Sequence, residues 1–470
     1  MKPKAPPMNN YANTIAAVST PPGKGGVAII RISGNEARSI ASRVFHPASK
    51  RDFNDAVPRM QIRGDIYYGS EIIDDGMATY FKAPHSYTGE DTVEIACHGG
   101  VLVTRTVLEA VFAAGAFPAS AGEFTKRAFI NGKLSLSEAE AIGNLLEAES
   151  REQIRLSSGR SRALLSNGIA EIRGLFTSVL SSIYARIDYP DEDLGDFTAS
   201  ETVDILTSAK QKIEKLISTY QTGKAIRDGI NTVICGKPNV GKSSLYNALI
   251  GRDAAIVTDI EGTTRDVLSE KIPLGRVMLI LSDTAGVRNI TSDPIEKIGI
   301  QKSLEIIADA ELILAVFDLS REFDSEDEAL ISELSEVNAT KIALLNKSDL
   351  KEHFNRTAIN ESFDTVIEIS AEGAVDDTVQ ALADVIDKMF TDEKILTGEE
   401  AIIASARQNA ELCRALNLTE SAIEAYRLGI SQDAASSDIE RALGAIAELD
   451  GLAVSESVVA DIFSKFCVGK

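Results

Sequence analysis

The sequence lacks the long apolar segments of membrane and secreted proteins. No stretch approaches the ~18 consecutive apolar residues that cross a bilayer, and the charged start, Met1-Lys2-Pro3-Lys4, is not followed by an apolar signal core. We therefore expect neither a membrane span nor secretion. Internal repeats are also absent, and a composition with 44% apolar and 25% charged residues excludes a fibrous or disordered chain.

Cysteine and histidine are scarce and scattered. The chain has four of each and no Cys-x-x-Cys pair, so neither a zinc site nor a disulfide framework is expected. This usage fits a reducing compartment, and we expect a cytoplasmic protein. The residues are Cys97, Cys235, Cys413 and Cys467, and His46, His85, His98 and His353.

Basic residues are outnumbered. There are 48 Lys and Arg against 70 Asp and Glu, which gives a net charge of −22. Such a chain repels phosphate backbones on average, so contact with RNA needs a local basic patch or a basic partner. Arg151, Arg155, Arg160 and Arg162 either meet RNA or form a solvated helix face.

The 470 residues are enough for about three domains of ~150 residues. Region 1–133 contains β-type runs such as Val27–Ile32 and Thr92–Ala96 and helical patches such as Arg105–Ala114, which predicts an α+β domain. Ser135–Tyr189 contains no proline and shows apolar residues at helical spacing.

The C-terminal part of the chain shows the same proline-free helical pattern. We therefore predict one discontinuous helical domain, 134–225 and 393–470, with an α/β domain inserted at 226–392. Within the insert, apolar runs alternate with helical segments, which predicts a doubly wound parallel sheet. The predicted strands are Thr232–Cys235, Val277–Leu281, Leu312–Phe317, Ile342–Leu345 and Val366–Ile369.

A phosphate-binding loop is the strongest motif. Gly236-Lys-Pro-Asn-Val-Gly-Lys242-Ser243 matches G-x-x-x-x-G-K-[ST], follows a predicted strand and precedes an amphipathic helix, Ser244–Ile250. The glycines let backbone N–H groups face a phosphate, Lys242 reaches the β/γ oxygens, and Ser243 offers a hydroxyl to Mg²⁺.

Three further elements follow in order, each at the end of a predicted strand. Asp283-Thr284-Ala285-Gly286 combines an aspartate for the Mg²⁺ shell with an N–H for the γ-phosphate. Asp349, in Asn346-Lys347-Ser348-Asp349, accepts two N–H donors from guanine, which adenine cannot offer. The backbone at Ser370-Ala371 is positioned to read the guanine carbonyl oxygen. This set resembles the GTPase family of P-loop proteins, whose ligands bind at the carboxyl ends of the strands.

The first switch loop is expected at Gly262-Thr263-Thr264-Arg265-Asp266, with Thr264 as the second Mg²⁺ ligand and Arg265 and Asp266 as possible contacts. Val287 stands where Ras-like GTPases carry the glutamine that orients the attacking water. Glu296 is either the acid that replaces it or a solvated charge at a helix start.

The resemblance extends over nearly the whole chain. Three N-terminal blocks, the inserted α/β domain and the ending Phe466-Cys467-Val468-Gly469-Lys470 look like the tRNA-modification GTPase family MnmE, also called TrmE, whose ending usually reads Cys-Ile-Gly-Lys. The three blocks are Thr14 to Gly34, Tyr87 to Gly100 and Gly122 to Phe129.

This resemblance implies a role in a complex. The family works with a flavoprotein, MnmG or GidA, and together they add an aminomethyl-type or carboxymethylaminomethyl-type group at carbon five of the wobble uridine of certain tRNAs. The one-carbon unit comes from a 5-formyl-type or methylene-type tetrahydrofolate bound by the N-terminal domain, which also forms the homodimer. GTP hydrolysis is activated by K⁺, which promotes pairing of the G domains and replaces an arginine finger.

Residue roles follow from the same resemblance. Asn239, Thr258, Ile260 and Thr263 would bind K⁺, and Glu296 would orient the water. The GTP site would also include Val240, Gly241 and Ser244. Folate contacts would be Arg31, Glu94, Lys133 and Lys470. Cys467 is either a nucleophile or an inert free thiol.

Two other functions remain open on the sequence alone. One is a regulatory GTPase, such as a ribosome-assembly switch, whose N-terminal domain only binds partners. The other is a scaffold with a vestigial folate site. Binding of tetrahydrofolate would distinguish the family function from a regulatory GTPase. Turnover of GTP would distinguish both of these GTPases from a scaffold.

Overall fold

The structure is a computed structural model. It describes residues 13–188, 197–251, 269–282, 309–391, 400–430, 432–451, 456–464 and 466–469. The chain divides into two compact units. One comprises residues 1–146, 176–181 and 436–470, and the other comprises 147–175 and 182–435.

A seven-stranded sheet forms the centre of the first unit. Its order is β3-β4-β5-β6-β2-β1-β7, and its neighbours are antiparallel except for the parallel pair β1 and β7. The strands are β1 Ile15–Val18, β2 Val27–Ser33, β3 Phe45–Pro47, β4 Gln61–Tyr68, β5 Glu71–Phe81, β6 Thr92–His98 and β7 Phe117–Pro118.

The alternation of residues along β2 gives this sheet two different faces. Ile30 and Ile32 are fully buried beneath helices α1 (Ala37–Val44) and α2 (Val101–Ala113). Arg31, between them, points to the opposite face because successive side chains of a strand alternate. Helices α3 (Glu123–Ile130), α4 (Leu136–Leu146) and α15 (Glu456–Ser464) also belong to this unit.

The sheet of the second unit has six strands in the order β13-β12-β11-β8-β10-β9. All neighbours are parallel except β9, which runs antiparallel to β10 at the edge. The strands are β8 Ile230–Gly236, β9 Ser269–Leu274, β10 Val277–Ser282, β11 Leu312–Asp318, β12 Thr340–Asn346 and β13 Thr365–Glu368.

Helices cover both faces of this sheet. Leu314 and Val316 of β11 pack toward α9 (Lys242–Ile250) and α12 (Val375–Phe390). Ala315 and Phe317 pack toward α10 (Ser325–Ser335) and α11 (Thr357–Ser362). Because β11 is buried on both faces, its sequence is a continuous apolar run.

The remaining helices are largely those predicted from the proline-free segments. In the second unit α7 packs along α13, and Lys210 forms an ion pair with Glu420 at 2.7 Å. Helices α6 and α14 contain residues of both units. The bounds are α5 Arg151–Leu156, α6 Gly159–Asp188, α7 Ala199–Ser218, α8 Tyr220–Arg227, α13 Ala406–Arg427 and α14 Gln432–Asp450.

The architecture confirms the predicted combination of α+β, helical and doubly wound α/β parts. Two details differ from the prediction. The edge strand β9 was not predicted, and the helical run after Ser135 is interrupted at 147–150 and again at 157–158; Ser150 caps α5 through a hydrogen bond from Gln153 N. Among the residues that the structure describes, no helix is long and apolar enough to cross a membrane.

Candidate functional site

The phosphate loop connects β8 to α9, and two of its glycines are required by the backbone. Gly236 has φ +145°, and a Cβ there would lie 2.5 Å from the carbonyl oxygen of Val316. Gly241 has φ +102°, and a Cβ would lie 2.1 Å from Nδ2 of Asn346. A side chain at Gly236 would therefore displace the backbone of β11, and one at Gly241 would displace the side chain of Asn346.

Lys242 closes the loop on itself. Its Nζ donates to the carbonyl oxygens of Gly236 at 2.9 Å and Lys237 at 2.6 Å. Ser243 and Ser244 follow in the first turn of α9, where unpaired backbone N–H groups and the helix dipole favour an anion. The loop thus brings together a cation, a helix N-terminus and a hydroxyl group.

Asn346 joins this loop to the other end of the predicted site. Its side chain is buried, its Nδ2 donates to Val240 O at 2.8 Å, and its Oδ1 accepts from Ala371 N at 3.0 Å. A backbone N–H at Ser370-Ala371 was predicted to read guanine, but both N–H groups are engaged within the protein, because Ser370 N donates to Thr378 Oγ1 at 3.1 Å. One asparagine thus positions both the phosphate loop and the Ser370-Ala371 loop.

Lys347 and Asp349 lie beside Asn346 at the end of β12. Lys347 Nζ donates to Asn239 O at 3.2 Å and to Asp318 Oδ2 at 2.6 Å. Asp349 Oδ1 accepts from the hydroxyl of Ser370 at 2.6 Å. This hydrogen bond orients the carboxylate expected to recognise guanine.

Asp318 is a residue of this site that the motifs did not identify. It ends the buried strand β11, and burial alone would raise its pKa. Hydrogen bonds from Lys347 and Ser320 instead hold the pKa below its usual value. Its sequence signal was a carboxylate placed directly after a fully apolar run.

Glu372 is a second residue that sequence reasoning missed. It accepts a hydrogen bond from Ser244 Oγ at 2.9 Å, and so links α9 to the Ser370-Ala371 loop. No local sequence pattern predicts this hydrogen bond, because Ser244 and Glu372 are 128 positions apart.

Several predicted residues lie outside the described ranges. They include the expected switch loops, the water-orienting acid and most of the expected K⁺ ligands. They are Thr258, Ile260, Thr263, Thr264, Arg265, Asp266, Asp283, Thr284, Ala285, Gly286, Glu296 and Lys470.

A second cluster of predicted residues lies on the N-terminal sheet. Arg31 and Glu94 face each other across β2 and β6, with Nη2 and Oε1 2.8 Å apart. The Arg31 guanidinium lies 5.4 Å from the ring centroid of Tyr87 and 5.6 Å from that of Phe124. The cluster combines a cation, a carboxylate and two aromatic rings on one face.

Lys133 contacts the loop that carries Tyr87. Its Nζ donates to Pro84 O at 2.9 Å. The buried Arg127 of α3 also holds this loop, because it forms ion pairs with Glu90 of the loop at 3.1 Å and with Glu123 of α3 at 2.8 Å. Sequence reasoning missed Arg127, although the four-residue spacing of Glu123 and Arg127 was a signal.

The C-terminal segment lies against the same unit. Val468 forms a β-bridge with Ala121, and Gly469 O accepts from Ser19 Oγ at 3.1 Å. Cys467 is exposed. A largely apolar cavity of about 780 Å³ opens beside this segment, and its lining includes Val18, Leu108, Phe112 and Val468.

Comparisons with known proteins cover both units. The family model described as the GTP-binding protein TrmE N-terminus matches residues 14–133, and that of the MnmE helical domain matches 136–467. The tRNA modification GTPase MnmE of Clostridioides difficile (strain 630) is 37% identical over 460 residues, which cover 97% of this chain and 99% of the relative. That of Thermotoga maritima is 39% identical over 464 residues, which cover 97% and 100%.

Solved structures give a weaker likeness. Era from Aquifex aeolicus, bound to GDP and AlF4⁻, is 23% identical over 40% of this chain and 65% of its own. The TM-score is 0.26, so this likeness carries no argument.

Proposed function

The chain belongs to the MnmE (TrmE) family of tRNA-modification GTPases, and we propose that it binds GTP at the loop between β8 and α9 and hydrolyses it during tRNA modification. The observation that carries this proposal is the position of Lys242, whose ammonium lies against the carbonyls of a loop fixed by Asn346. The β- and γ-phosphates would replace those carbonyls as its partners.

The direct test is GTP turnover by the full chain and by Lys242→Ala. We expect turnover by the unchanged protein and a loss of at least about 100-fold in the variant, because the lysine stabilises charge on the transferred phosphoryl group. Turnover that survives the substitution would contradict the assignment.

The residues at the loop suit Mg²⁺. A hydroxyl oxygen at Ser243, next to Lys242 in the first turn of α9, is the hard donor that Mg²⁺ prefers. Ser243 and Thr264 would hold the ion, and Asp283 would orient its shell. When bound, Mg²⁺ neutralises charge on the β- and γ-phosphate oxygens.

We further propose that hydrolysis depends on K⁺ and on pairing of two G domains. Asn239 adopts φ +65° in the loop, and its carbonyl is held by Lys347, so its side-chain amide lies on a fixed backbone. With oxygens from Thr258, Ile260 and Thr263, this amide would supply the hard ligands that an alkali cation needs.

Glu296 is the proposed water-orienting acid. Substitution by Ala should abolish most turnover and leave nucleotide affinity unchanged, because the residue would contact only the attacking water. Full turnover by Glu296→Ala would contradict this role.

The Arg31–Glu94 cluster supports a tetrahydrofolate site. A carboxylate can pair with the N–H groups of a pterin, a guanidinium with a carbonyl or glutamyl carboxylate, and aromatic rings with its flat face. We propose that Arg31, Glu94, Lys133 and Lys470 bind a 5-formyl-type or methylene-type derivative, which supplies the one-carbon unit for carbon five of the wobble uridine.

Calorimetric binding of 5-formyltetrahydrofolate tests this site. Glu94→Gln should weaken binding about tenfold, since a charged acceptor is lost. Arg63→Met is the matched control, because it breaks an exposed ion pair with Asp75 on the same sheet. If the unchanged protein, Glu94→Gln and Arg63→Met bind 5-formyltetrahydrofolate with equal affinity, the proposed folate site at Glu94 is contradicted.

The proposed assembly has three partners. We propose a homodimer through the N-terminal domain, a complex with the flavoprotein MnmG (GidA), and tRNA as the substrate of that complex in the cytoplasm. The domain limits 1–133, 134–225 with 393–470, and 226–392 are part of this proposal. Cys467, an exposed thiol in the segment beside Ala121, stays a candidate nucleophile.

A further inference from the structure

Lys237 is the first variable residue of the phosphate-loop motif, and the motif assigns it no role. Its side chain is only 12% exposed, and its Nζ lies 2.7 Å from Asp324 Oδ2 and 2.8 Å from Asp327 Oδ2. Asp327 is itself 3% exposed. An ammonium largely shielded from water is costly unless it is paired, and the exposed Asp324 (54%) and the buried Asp327 supply that pairing.

The two carboxylates are fixed by the start of α10. Asp324 is the N-cap and accepts hydrogen bonds from Glu326 N at 2.8 Å and Asp327 N at 3.3 Å. Asp327 returns the contact by accepting from Asp324 N at 3.1 Å. This reciprocal capping orients both acids independently of Lys237.

The backbone of Lys237 contacts the catalytic lysine. Its carbonyl accepts from Lys242 Nζ at 2.6 Å, beside the carbonyl of Gly236. Because Asp324 and Asp327 hold the Lys237 side chain, they also restrain the Lys237 carbonyl oxygen, which accepts the hydrogen bond from the Lys242 ammonium. Burial alone would lower the pKa of Lys237, but Asp324 and Asp327 raise it above its usual value, so the side chain stays charged.

The middle of the loop is held by the connection between β11 and α10. Asp318, the last residue of β11, accepts a hydrogen bond from Lys347 Nζ at 2.6 Å, and the same Nζ donates to Asn239 O at 3.2 Å. The segment from Asp318 to Asp327 thus anchors the loop at two points, through Lys347 at one and Lys237 at the other.

We propose that Lys237 is a positioning residue of the phosphate loop: its ammonium, held between Asp324 and Asp327, fixes the first peptide of the loop and keeps Lys242 at its mouth before nucleotide binds. The inference rests on the proposed GTP site. A preordered loop loses less conformational entropy when nucleotide binds. Removing the contact that preorders the loop should therefore weaken nucleotide binding. Bound phosphates then order the loop themselves, so the chemical step changes little.

Lys237→Met tests the proposal, because methionine retains the apolar stem and removes the charge. In the full chain we expect KM for GTP and the rate of GDP release each to rise about tenfold, which corresponds to about 1.4 kcal/mol, while kcat changes by less than about twofold. Asp324→Asn should show a smaller change in the same direction, because asparagine caps a helix equally well but carries no charge.

The double variant measures the coupling. The double variant Lys237→Met/Asp324→Asn should have the same KM as Lys237→Met alone, because each substitution removes the same ion pair between Lys237 and Asp324. Arg356→Met is the matched control. It breaks ion pairs with Glu352 and Glu368 elsewhere in the same sheet domain and should leave KM unchanged.

Two results would overturn the proposal. One is a folded Lys237→Met protein with the original KM and GDP release rate, and the other is a fall in kcat with unchanged KM, which would place Lys237 in the transition state. If Lys237→Met does not fold, an unchanged KM in Asp324→Asn overturns it instead. Absence of GTP turnover in the unchanged protein would refute the proposed function itself.

Discussion

At the scale of single residues, the proposed recognition of guanine would depend on Asp349 and on the Ser370 hydroxyl that orients it. Ser370 Oγ donates to one carboxylate oxygen at 2.6 Å, which fixes the plane of the carboxylate at the end of β12. Asn346 is similarly held by Val240 and Ala371. The groups that we propose for base recognition are therefore held by hydrogen bonds within the protein.

Asp349→Asn should change the preferred base from guanine to xanthine. The amide of asparagine can donate to the second carbonyl of xanthine, and guanine loses a charged acceptor worth about 3 kcal/mol, or roughly a hundredfold in affinity. Competition between GDP and xanthosine diphosphate measures the ratio. An unchanged preference for GDP would contradict the recognition role of Asp349.

His98 provides a prediction on pH. Asp74 Oδ1 lies 2.7 Å from its Nδ1 and raises the pKa of the imidazole above its ordinary value of 6.5, with a smaller contribution from Asp75. Because the pKa is raised on folding, the pair stabilises the fold below the unfolded pKa, and this contribution is lost as pH rises through the folded pKa.

An NMR titration of the His98 ring measures this pKa directly. Asp74→Asn should lower it, and Asp75→Asn, the matched control, should lower it less, because only Asp74 is hydrogen-bonded to the ring. Equal effects of the two substitutions would show that the contact does not set the pKa.

At the scale of elements, β11 is an inner strand of the six-stranded sheet, and every one of its residues is buried. Phe317 is fully buried and packs against Phe354 and Phe363, with ring centroids 6.1 and 5.9 Å apart. The next residue, Asp318, anchors Lys347. Packing of the strand and positioning of the site are thus coupled within two residues.

Phe317→Ala should destabilise this sheet domain by about 3–5 kcal/mol, because it leaves a cavity in a closely packed core. Met389→Ala on α12, where the side chain is 39% exposed, is the control and should cost below about 1 kcal/mol. Urea unfolding of both variants gives the comparison. Equal midpoints would contradict the central role of β11.

The elements also show what the sequence could predict. The buried parallel strands and the phosphate loop were predicted because apolar runs and glycine spacing are local signals. Strand β9 was missed because Ser269–Leu274 contains Pro273 and polar residues, which an edge strand tolerates. The contacts of Lys237 with Asp324 and Asp327 join residues 87 and 90 positions apart, so no local period could reveal them.

At the scale of the whole molecule, family membership and the position of the phosphate loop both indicate a GTPase domain inserted into a chain of the MnmE family. Matches to the N-terminal and helical family models extend from residue 14 to 467, and the GTPase motifs lie between the two halves of the proposed helical domain. An inserted G domain whose activity requires pairing with a second copy would make GTP hydrolysis depend on assembly.

Activation by K⁺ can be measured by steady-state GTP hydrolysis in KCl and in NaCl at matched ionic strength, with light scattering on the same samples. We expect turnover and G-domain association to rise together in K⁺ and to stay low in Na⁺, because K⁺ bound by Asn239 and its neighbouring oxygens beside the β- and γ-phosphates would promote pairing of the domains and neutralise developing charge. Equal turnover in both salts would contradict activation by K⁺ and would favour a regulatory GTPase of the ribosome-assembly type.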